Sequence, residues 1–167
     1  MKHLKNLDAL ATNLARLGVG LSFGVLIAAV LIQVVGRTAG NSPVWTEELT
    51  RFSLLFMVAF GAGLAFRSGD LVNVDVAIEW LPDRAARFLR FVAALVTVGL
   101  ALFLLPHAAR YVGIGAMQTS PALGIRMDFA HASIFLMLAL LALFGLLRIF
   151  GMLFASEDGR PIKPEVD

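Results

Sequence analysis

Four long stretches of this chain carry no Asp, Glu, Lys or Arg, and they constrain its fold more than any other feature. They are 20, 15, 19 and 19 residues long and cover 17–36, 52–66, 91–109 and 129–147. A helix needs about 20 apolar residues to cross the hydrocarbon core of a bilayer, within a range of about 17–25. Three stretches are long enough as they stand, and the second becomes so if its helix extends back through Arg51 to Trp45. We therefore predict an all-α integral membrane protein with four transmembrane helices.

Composition supports a membrane domain and argues against a soluble one. The chain is 59% hydrophobic and 16% charged, whereas about a quarter of the residues of a soluble domain are charged. A soluble bundle would also show a polar stripe on each helix, which these stretches lack. We expect a single membrane domain over 17–155, with a cytoplasmic interfacial segment at 1–16 and a polar tail at 156–167. Apolar residues recur at helical spacing in the interfacial segment, which favours a short helix along the membrane surface.

Basic residues are unevenly distributed between the two sides of these predicted spans. Ten of the 14 lie before the first span, between the second and third, or after the fourth. The positive-inside rule then predicts that both termini are cytoplasmic. The basic excess is topological and does not indicate nucleic-acid binding, and its collar of Arg84, Arg87 and Arg90 is predicted to contact anionic lipid headgroups. The first span is longer than the 7–15 apolar residues of a signal peptide, so we expect it to be retained.

The start of the second span combines an aromatic side chain with three ionisable ones. Trp45 has the character of an interfacial anchor. Glu47 and Glu48 precede Arg51 by four and three residues, which are the spacings of neighbours on a helix surface. A charge at mid-span costs roughly 2.5–3.5 kcal/mol, so this cluster needs compensation. Two interpretations stay open: the cluster neutralises itself at a helix end, or one of its charges pairs with a residue of another subunit. An ion relay is disfavoured because no ionisable residue continues the cluster inward.

Small residues suggest where helices approach closely. Gly61 and Gly63 lie in a close-packing stretch of the second span, and we expect the ridge of Gly20, Gly24 and Ala28 in the first span to pack inside the bundle. The fourth span is rich in Leu and Phe, so we expect it to face lipid or a large partner.

Away from their ends, the spans contain only uncharged polar side chains besides two histidines: Ser22, Gln33, Ser53, Thr97 and Ser133. A self-contained secondary transporter typically has broken helices and an ion-coupling residue near the membrane midplane. A chain without them is better suited to support another polypeptide that has a transport pathway. A self-contained small carrier stays as an alternative that transport by the chain alone would support.

The histidines suggest a different alternative, a cytochrome b-like membrane anchor. His107 and His131 lie near the same ends of the third and fourth spans, and two histidines on facing helices could ligate a b-type haem. The competing interpretation is that both are interfacial side chains. The absence of cysteine excludes disulfides, thiolate metal sites and cysteine nucleophiles. No motif of an enzyme active site is recognisable. Residues 72–80 alternate between apolar and polar, and we interpret them as a short surface helix with Asp75 on its wet side.

Several motifs resemble, in order and spacing, the small membrane subunit of tripartite ATP-independent periplasmic (TRAP) transporters. They are Trp45-Thr46-Glu47-Glu48-Leu49-Thr50-Arg51-Phe52, Gly61-Ala62-Gly63-Leu64-Ala65-Phe66-Arg67-Ser68-Gly69, Val74-Asp75, Leu81-Pro82 and Pro121-Ala122-Leu123-Gly124-Ile125. The resemblance implies a non-catalytic four-helix unit without a cofactor, docked on a large permease subunit in the bacterial inner membrane. That partner would move as an elevator and use a sodium gradient to take up a small organic acid delivered by a periplasmic binding protein. The resemblance also implies interface or structural roles for Trp45, Glu47, Glu48, Arg51, Gly61, Gly63, Arg67 and Asp75.

Overall fold

The computed structural model describes residues 2–41, 43–69 and 81–154, with side chains from Asn6 onward. Its four α-helices are α1 (Lys2–Thr38), α2 (Trp45–Ser68), α3 (Asp83–Gly115) and α4 (Asp128–Phe154). At 1.5 Å per residue they are about 55, 36, 50 and 40 Å long, which exceeds the hydrocarbon core of about 30 Å. Each is also apolar enough to cross a membrane. The prediction of four transmembrane helices is confirmed, including the extension of the second to Trp45. The cytoplasmic location of the termini stays a prediction.

The four helices pack in a row whose order differs from their order in the chain. The packing partners are α1 with α2, α2 with α4 and α4 with α3, with a small further contact between α1 and α4. The inner helices α2 and α4 have 28% and 33% of their most apolar windows buried, against 6% and 17% for α1 and α3. Each helix therefore keeps a broad apolar face that lipid or another polypeptide must cover.

Helix α1 continues through the region that the sequence predicted as a separate interfacial segment. Residues 2–16 belong to the same uninterrupted helix as the first span. The residues at the expected junction, Leu14 to Leu17, include strong helix formers and contain no glycine or proline that would end a helix. Thr12 and Ala15 are buried in this stretch, so it packs against the rest of the chain. How this end of α1 lies relative to a bilayer stays a prediction.

Helix α4 occupies an inner position, so the expectation that it faces lipid or a large partner applies to only part of its surface. Its buried residues include Ala130, Ser133, Ala142 and Gly145. A Cβ on Gly145 would collide with the Val98 side chain of α3. These small residues, spaced along the helix, let α3 approach closely even though Leu and Phe dominate the composition. The expectation for this span was based on its average composition, which does not show the spacing of its small residues.

The ridge of Gly20, Gly24 and Ala28 lies outside the helix contacts, so the expectation of internal packing is also wrong. A Cβ on Gly20 or Gly24 would meet no atom of the described chain within 4 Å, and Ala28 is exposed. The contact between α1 and α2 passes instead through Gly18, where a Cβ would lie 2.6 Å from the Phe60 ring. A different face of α1 thus carries the packing.

Candidate functional site

Helix α2 carries most of the predicted site residues, and its first turn is fixed by a buried threonine. A short turn at Pro43 and Val44 leads into the helix. The Thr46 hydroxyl donates a hydrogen bond to the Pro43 carbonyl at 2.6 Å, and Thr46 is 0% exposed. Trp45 is 38% exposed. Because Thr46 points into the protein, the side chains of Trp45 and Glu47 are turned outward. Thr46 was not among the predicted site residues, although a threonine hydroxyl can bond the carbonyl three residues earlier.

Glu48 fastens α2 to the loop between α3 and α4. Its Oε2 accepts hydrogen bonds from the backbone N–H groups of Ala122 at 3.0 Å and Leu123 at 2.9 Å. Ser120 is buried in the same loop, and its Oγ accepts a hydrogen bond from the Leu123 N–H at 3.2 Å. Two consecutive N–H groups that point at one carboxylate oxygen form an anion-binding turn. Glu48 is therefore a structural latch across 74 residues of sequence.

The loop that Glu48 holds is a compact hairpin. Ser120 and Ile125 are joined by an N–H to carbonyl bond of 2.8 Å, and Met127 donates to Gln118 at 2.9 Å. Gly124 has a φ of +68°, a left-handed conformation that glycine adopts without strain. We call residues 116–127 the outer loop. Its backbone geometry creates the pair of N–H groups that Glu48 binds, and no spacing in the sequence linked the two segments.

Glu47 and Arg51 are both exposed, and neither is tightly paired within the described chain. The Glu47 Oε1 lies 3.5 Å from Nε2 of Gln33 on α1, which is at the long limit of a hydrogen bond. The Arg51 guanidinium makes no hydrogen bond or ion pair with a described residue. Its attraction to Glu48 acts across a longer distance. Both carboxylates are thus hydrogen-bonded to groups other than Arg51, and the two interpretations of the cluster stay predictions.

The opposite end of α2 contains a tight ion pair that the sequence analysis did not foresee. The Arg67 Nε and Nη2 donate to the two carboxylate oxygens of Asp8 on α1, with N–O distances of 2.9 Å to Oδ1 and 2.6 Å to Oδ2. The side chains are 18% and 23% exposed. This is the two-pronged geometry in which arginine binds carboxylates best. Nearby, the Arg148 guanidinium lies 5.6 Å from the centre of the Phe66 ring.

Gly61 and Gly63 do different things. A Cβ on Gly63 would lie 2.9 Å from the Leu140 Cβ and 3.1 Å from the Phe144 ring, so this glycine lets α4 approach α2. A Cβ on Gly61 would meet nothing within 4 Å. Phe56 of α2 adds a ring contact of 4.8 Å to Phe129 of α4. Of the two glycines, only Gly63 is needed for contact between helices of this chain.

The predicted basic collar begins α3. Arg84 and Arg87 are exposed and Arg90 is half-buried, and contact of these residues with lipid headgroups stays a prediction. Asp75, the expected surface helix at 72–80 and the polar tail at 156–167 lie outside the described residues.

The two histidines are held by separate local contacts. The His131 ring stacks on Tyr111 with 3.9 Å between ring centres, and its Nδ1 lies 3.1 Å from the Tyr111 carbonyl oxygen. The His107 Nδ1 lies 3.2 Å from the carbonyl oxygen of Phe103, one turn earlier in α3. A Cβ on Gly115 would lie 2.5 Å from the His131 Nδ1, so the ring fills a fitted space. These contacts favour structural roles for the two histidines.

Comparison with known proteins identifies the family. The profile of the family described as the DctQ component of tripartite ATP-independent periplasmic transporters matches residues 26–155. A putative TRAP transporter small permease protein of Haemophilus influenzae is 26% identical over 112 residues, which cover 66% of this chain and 68% of that protein. The sialic acid TRAP transporter small permease protein SiaQ of Vibrio cholerae is 29% identical over 112 residues, covering 64% of this chain and 65% of its own length.

A third relative is much longer than this chain. The sialic acid TRAP transporter permease protein SiaT of Haemophilus influenzae is 32% identical over 84 residues, which cover 49% of this chain but only 13% of that protein. Relatives of both sizes are thus components of transporters, and the described helices are those of a multi-pass membrane protein. The family profile covers well over half of the chain, which therefore belongs to the DctQ family of TRAP transporter components and is a transport protein, not an enzyme.

Proposed function

We propose that this chain is the small permease subunit of a TRAP transporter and acts as a membrane scaffold for a larger permease polypeptide. The larger polypeptide would bind substrate and sodium ions and move as an elevator, while this chain anchors it in the bacterial inner membrane. A periplasmic binding protein would deliver the substrate, which we propose to be a small organic acid. The sodium gradient would drive uptake.

The hydrogen bonds that hydroxyl side chains of the spans make within their own helices carry this proposal. The hydroxyls of Ser53, Thr97 and Ser133 donate to backbone carbonyls within their own helices, at 2.8, 2.9 and 2.7 Å. Each of these hydroxyls therefore uses its single donor within its own helix. The four described helices are continuous, whereas transport sites at the membrane midplane are typically built from broken helices. This arrangement supports a scaffold rather than a transport pathway.

The relative lengths of the matched proteins support a larger partner. In SiaT the matched region is 13% of the polypeptide, so most of that permease lies outside the part similar to this chain. A unit of this kind joined to a much longer permease in one protein is consistent with a non-covalent complex of two chains in another.

Affinity purification and reconstitution test the proposal together. The tagged chain, isolated from its native membranes in a mild detergent, is expected to bring down a larger multi-span permease polypeptide. The reconstituted complex with the periplasmic binding protein should take up solute when a sodium gradient is imposed, and this chain alone should not. Recovery of the folded chain without any larger membrane polypeptide, or transport by the chain alone in liposomes, would contradict the proposal.

A further inference from the structure

Helix α2 is short of apolar length, which places its flanking arginines at the edges of the hydrocarbon. The charge-free run 52–66 has 15 residues, about 22 Å of helix, against a hydrocarbon thickness of about 30 Å. Arg51 and Arg67 bound this run on either side. If α2 spans the membrane, at least one of the two guanidinium groups begins within the apolar region, where ionised side chains usually pair with another group or line a polar cavity.

Within the described residues, only one of these arginines has a hydrogen-bonded partner. Arg67 is bound through two nitrogens by the Asp8 carboxylate. Arg51, at the other end, makes no hydrogen bond or ion pair with a described residue. The two acids best placed to neutralise it are directed elsewhere, because Glu48 holds the outer loop and Glu47 faces Gln33. Glu48 attracts the Arg51 guanidinium only from a longer distance, so the hydrogen-bond donors of Arg51 are open to an acceptor beyond the described residues.

Arg51 begins an exposed face of α2 that suits a neighbouring helix. Leu55 and Val58 follow at helical spacing and are 44% and 56% exposed. Gly61 and Ala62 come one turn further, and the space beside Gly61 is open. We call these five residues the Arg51 face. Small residues below an arginine allow a second backbone to come close enough for its side chains to reach the guanidinium. The exposed face of the α1 span lacks such a charge between its ends, so lipid can cover it.

We propose that the Arg51 face binds a transmembrane helix of the larger permease polypeptide, whose carboxylate pairs with the Arg51 guanidinium. This inference rests on the proposed function and specifies which surface of the chain forms the complex. Charge complementarity selects the occupant: a guanidinium that makes no hydrogen bond with a described residue, on an otherwise apolar helix face, is matched by an acidic side chain on an otherwise apolar partner. The pair would be shielded from water, where loss of one member weakens association strongly.

Substitutions of Arg51 test the charge. Arg51→Leu should reduce the amount of large permease recovered per tagged chain by about tenfold or more, since losing one member of a desolvated ion pair has effects of that size. Arg51→Lys keeps the charge and should lose much less. Arg110→Leu is the matched control, because Arg110 is exposed near one end of α3 but follows a charge-free run of 19 residues, about 28 Å of helix, which nearly spans the hydrocarbon. It should behave as wild type.

A photo-crosslinking amino acid tests the face without removing the arginine. Placed at Val58, it should join this chain to the large permease in native membranes. Placed at Phe103, which is 68% exposed on α3, it should not. The thermal midpoint of each purified variant shows whether the chain still folds.

Each outcome bears on a different part of the reasoning. If the wild-type chain recovers no large permease, the proposed function itself fails. If the wild-type chain forms the complex and Arg51→Leu forms it equally well, only the present inference is overturned. Cross-links from Val58 to lipid alone would likewise overturn it, and would identify Arg51 as a side chain that reaches up to the phosphate headgroups.

Discussion

The ion pair between Asp8 and Arg67 offers the sharpest test of how this chain holds itself together. Replacing Asp8 by Ala, Arg67 by Ala, and both at once gives a double-mutant cycle that isolates the energy of the pair. The pair connects the first turns of α1 to the last turn of α2, so it fixes the register of the two helices. Each single variant leaves the opposite charge without its partner, whereas the double variant removes both charges.

The geometry gives a coupling energy of about 2 kcal/mol. Three N–O distances of 2.9, 3.1 and 2.6 Å describe two good charge-assisted hydrogen bonds, each worth about 1.5–3 kcal/mol. The remaining exposure of 18% and 23% leaves part of the field screened by solvent, so the sum is reduced toward the value of one strong bond. Pairs that are fully exposed contribute only about 0.2–1 kcal/mol.

Unfolding of the detergent-solubilised chain provides the assay. For domains of about 150–250 residues, about 2 kcal/mol corresponds to a shift of about 4–8 °C in the thermal midpoint. The pair Arg126–Asp128 is the matched control. It has the same shortest N–O distance of 2.6 Å, but its arginine is 64% exposed and its partner is two residues away. A coupling energy of less than about 1 kcal/mol is expected there.

The comparison between the two pairs can refute the reasoning. If the Asp8–Arg67 coupling is no larger than the Arg126–Asp128 coupling, burial and two-pronged geometry contribute nothing at this site. If the loss of stability in the double variant equals the sum of the losses in the two single variants, the residues act independently and the contact does not stabilise the packing of α1 against α2.

Three further predictions concern the packing and the latch. Gly63→Ala should lower the free energy of unfolding by about 1–3 kcal/mol, because the added methyl group overpacks against Leu140 and Phe144. Gly61→Ala should leave the free energy of unfolding of the isolated chain unchanged or raise it by up to about 1 kcal/mol through helix propensity. A fall of equal size in the thermal midpoints of both variants would contradict the difference in packing. Glu48→Gln should loosen the outer loop and accelerate amide hydrogen exchange at Ala122 and Leu123, while Glu47→Gln should leave those amides protected. Equal exchange rates in the two variants would show that Glu48 does not hold the outer loop. His131→Ala should lower the free energy of unfolding by about 0.5–1.5 kcal/mol through loss of its stacking on Tyr111, and His107→Ala should change it little. A Soret band in the purified wild-type protein would support the haem alternative instead.

The number of helices and the start of α2 were predictable because hydrocarbon limits the length and the charge of any spanning segment. The four charge-free runs fall within the four helices, and even the short second run was correctly extended through Arg51 to Trp45. These inferences use only residues close together in sequence. The importance of Gly63 was predictable for the same reason, since a glycine in a span suggests a close approach without naming the helix that approaches.

The packing order and the polar contacts were not predictable, because they join residues far apart in the chain. Asp8 and Arg67 are separated by 59 residues, and Glu48 and Ala122 by 74. The signal for the first was present as an unpaired acid, Asp8, in the segment before the first span. The expectation that the ridge of Gly20 and Gly24 packs inside the bundle was wrong, because small residues show that a helix face can pack closely but not that the same chain provides the partner.

Two glycines two residues apart show how one helix can pack within its own chain and also offer a surface to another subunit. Gly61 and Gly63 are separated by about 200° around α2, so when Gly63 is covered by Leu140 and Phe144, Gly61 must point away from α4. The same division holds for the charges of α2, since Arg67 is bound by Asp8 and Arg51 makes no hydrogen bond or ion pair with a described residue. The contacts at Gly63 and Arg67 complete the fold of the chain alone. A glycine with open space beside it and an arginine without a hydrogen bond to the described chain are what a subunit needs on its outward face if its folding is completed before its assembly.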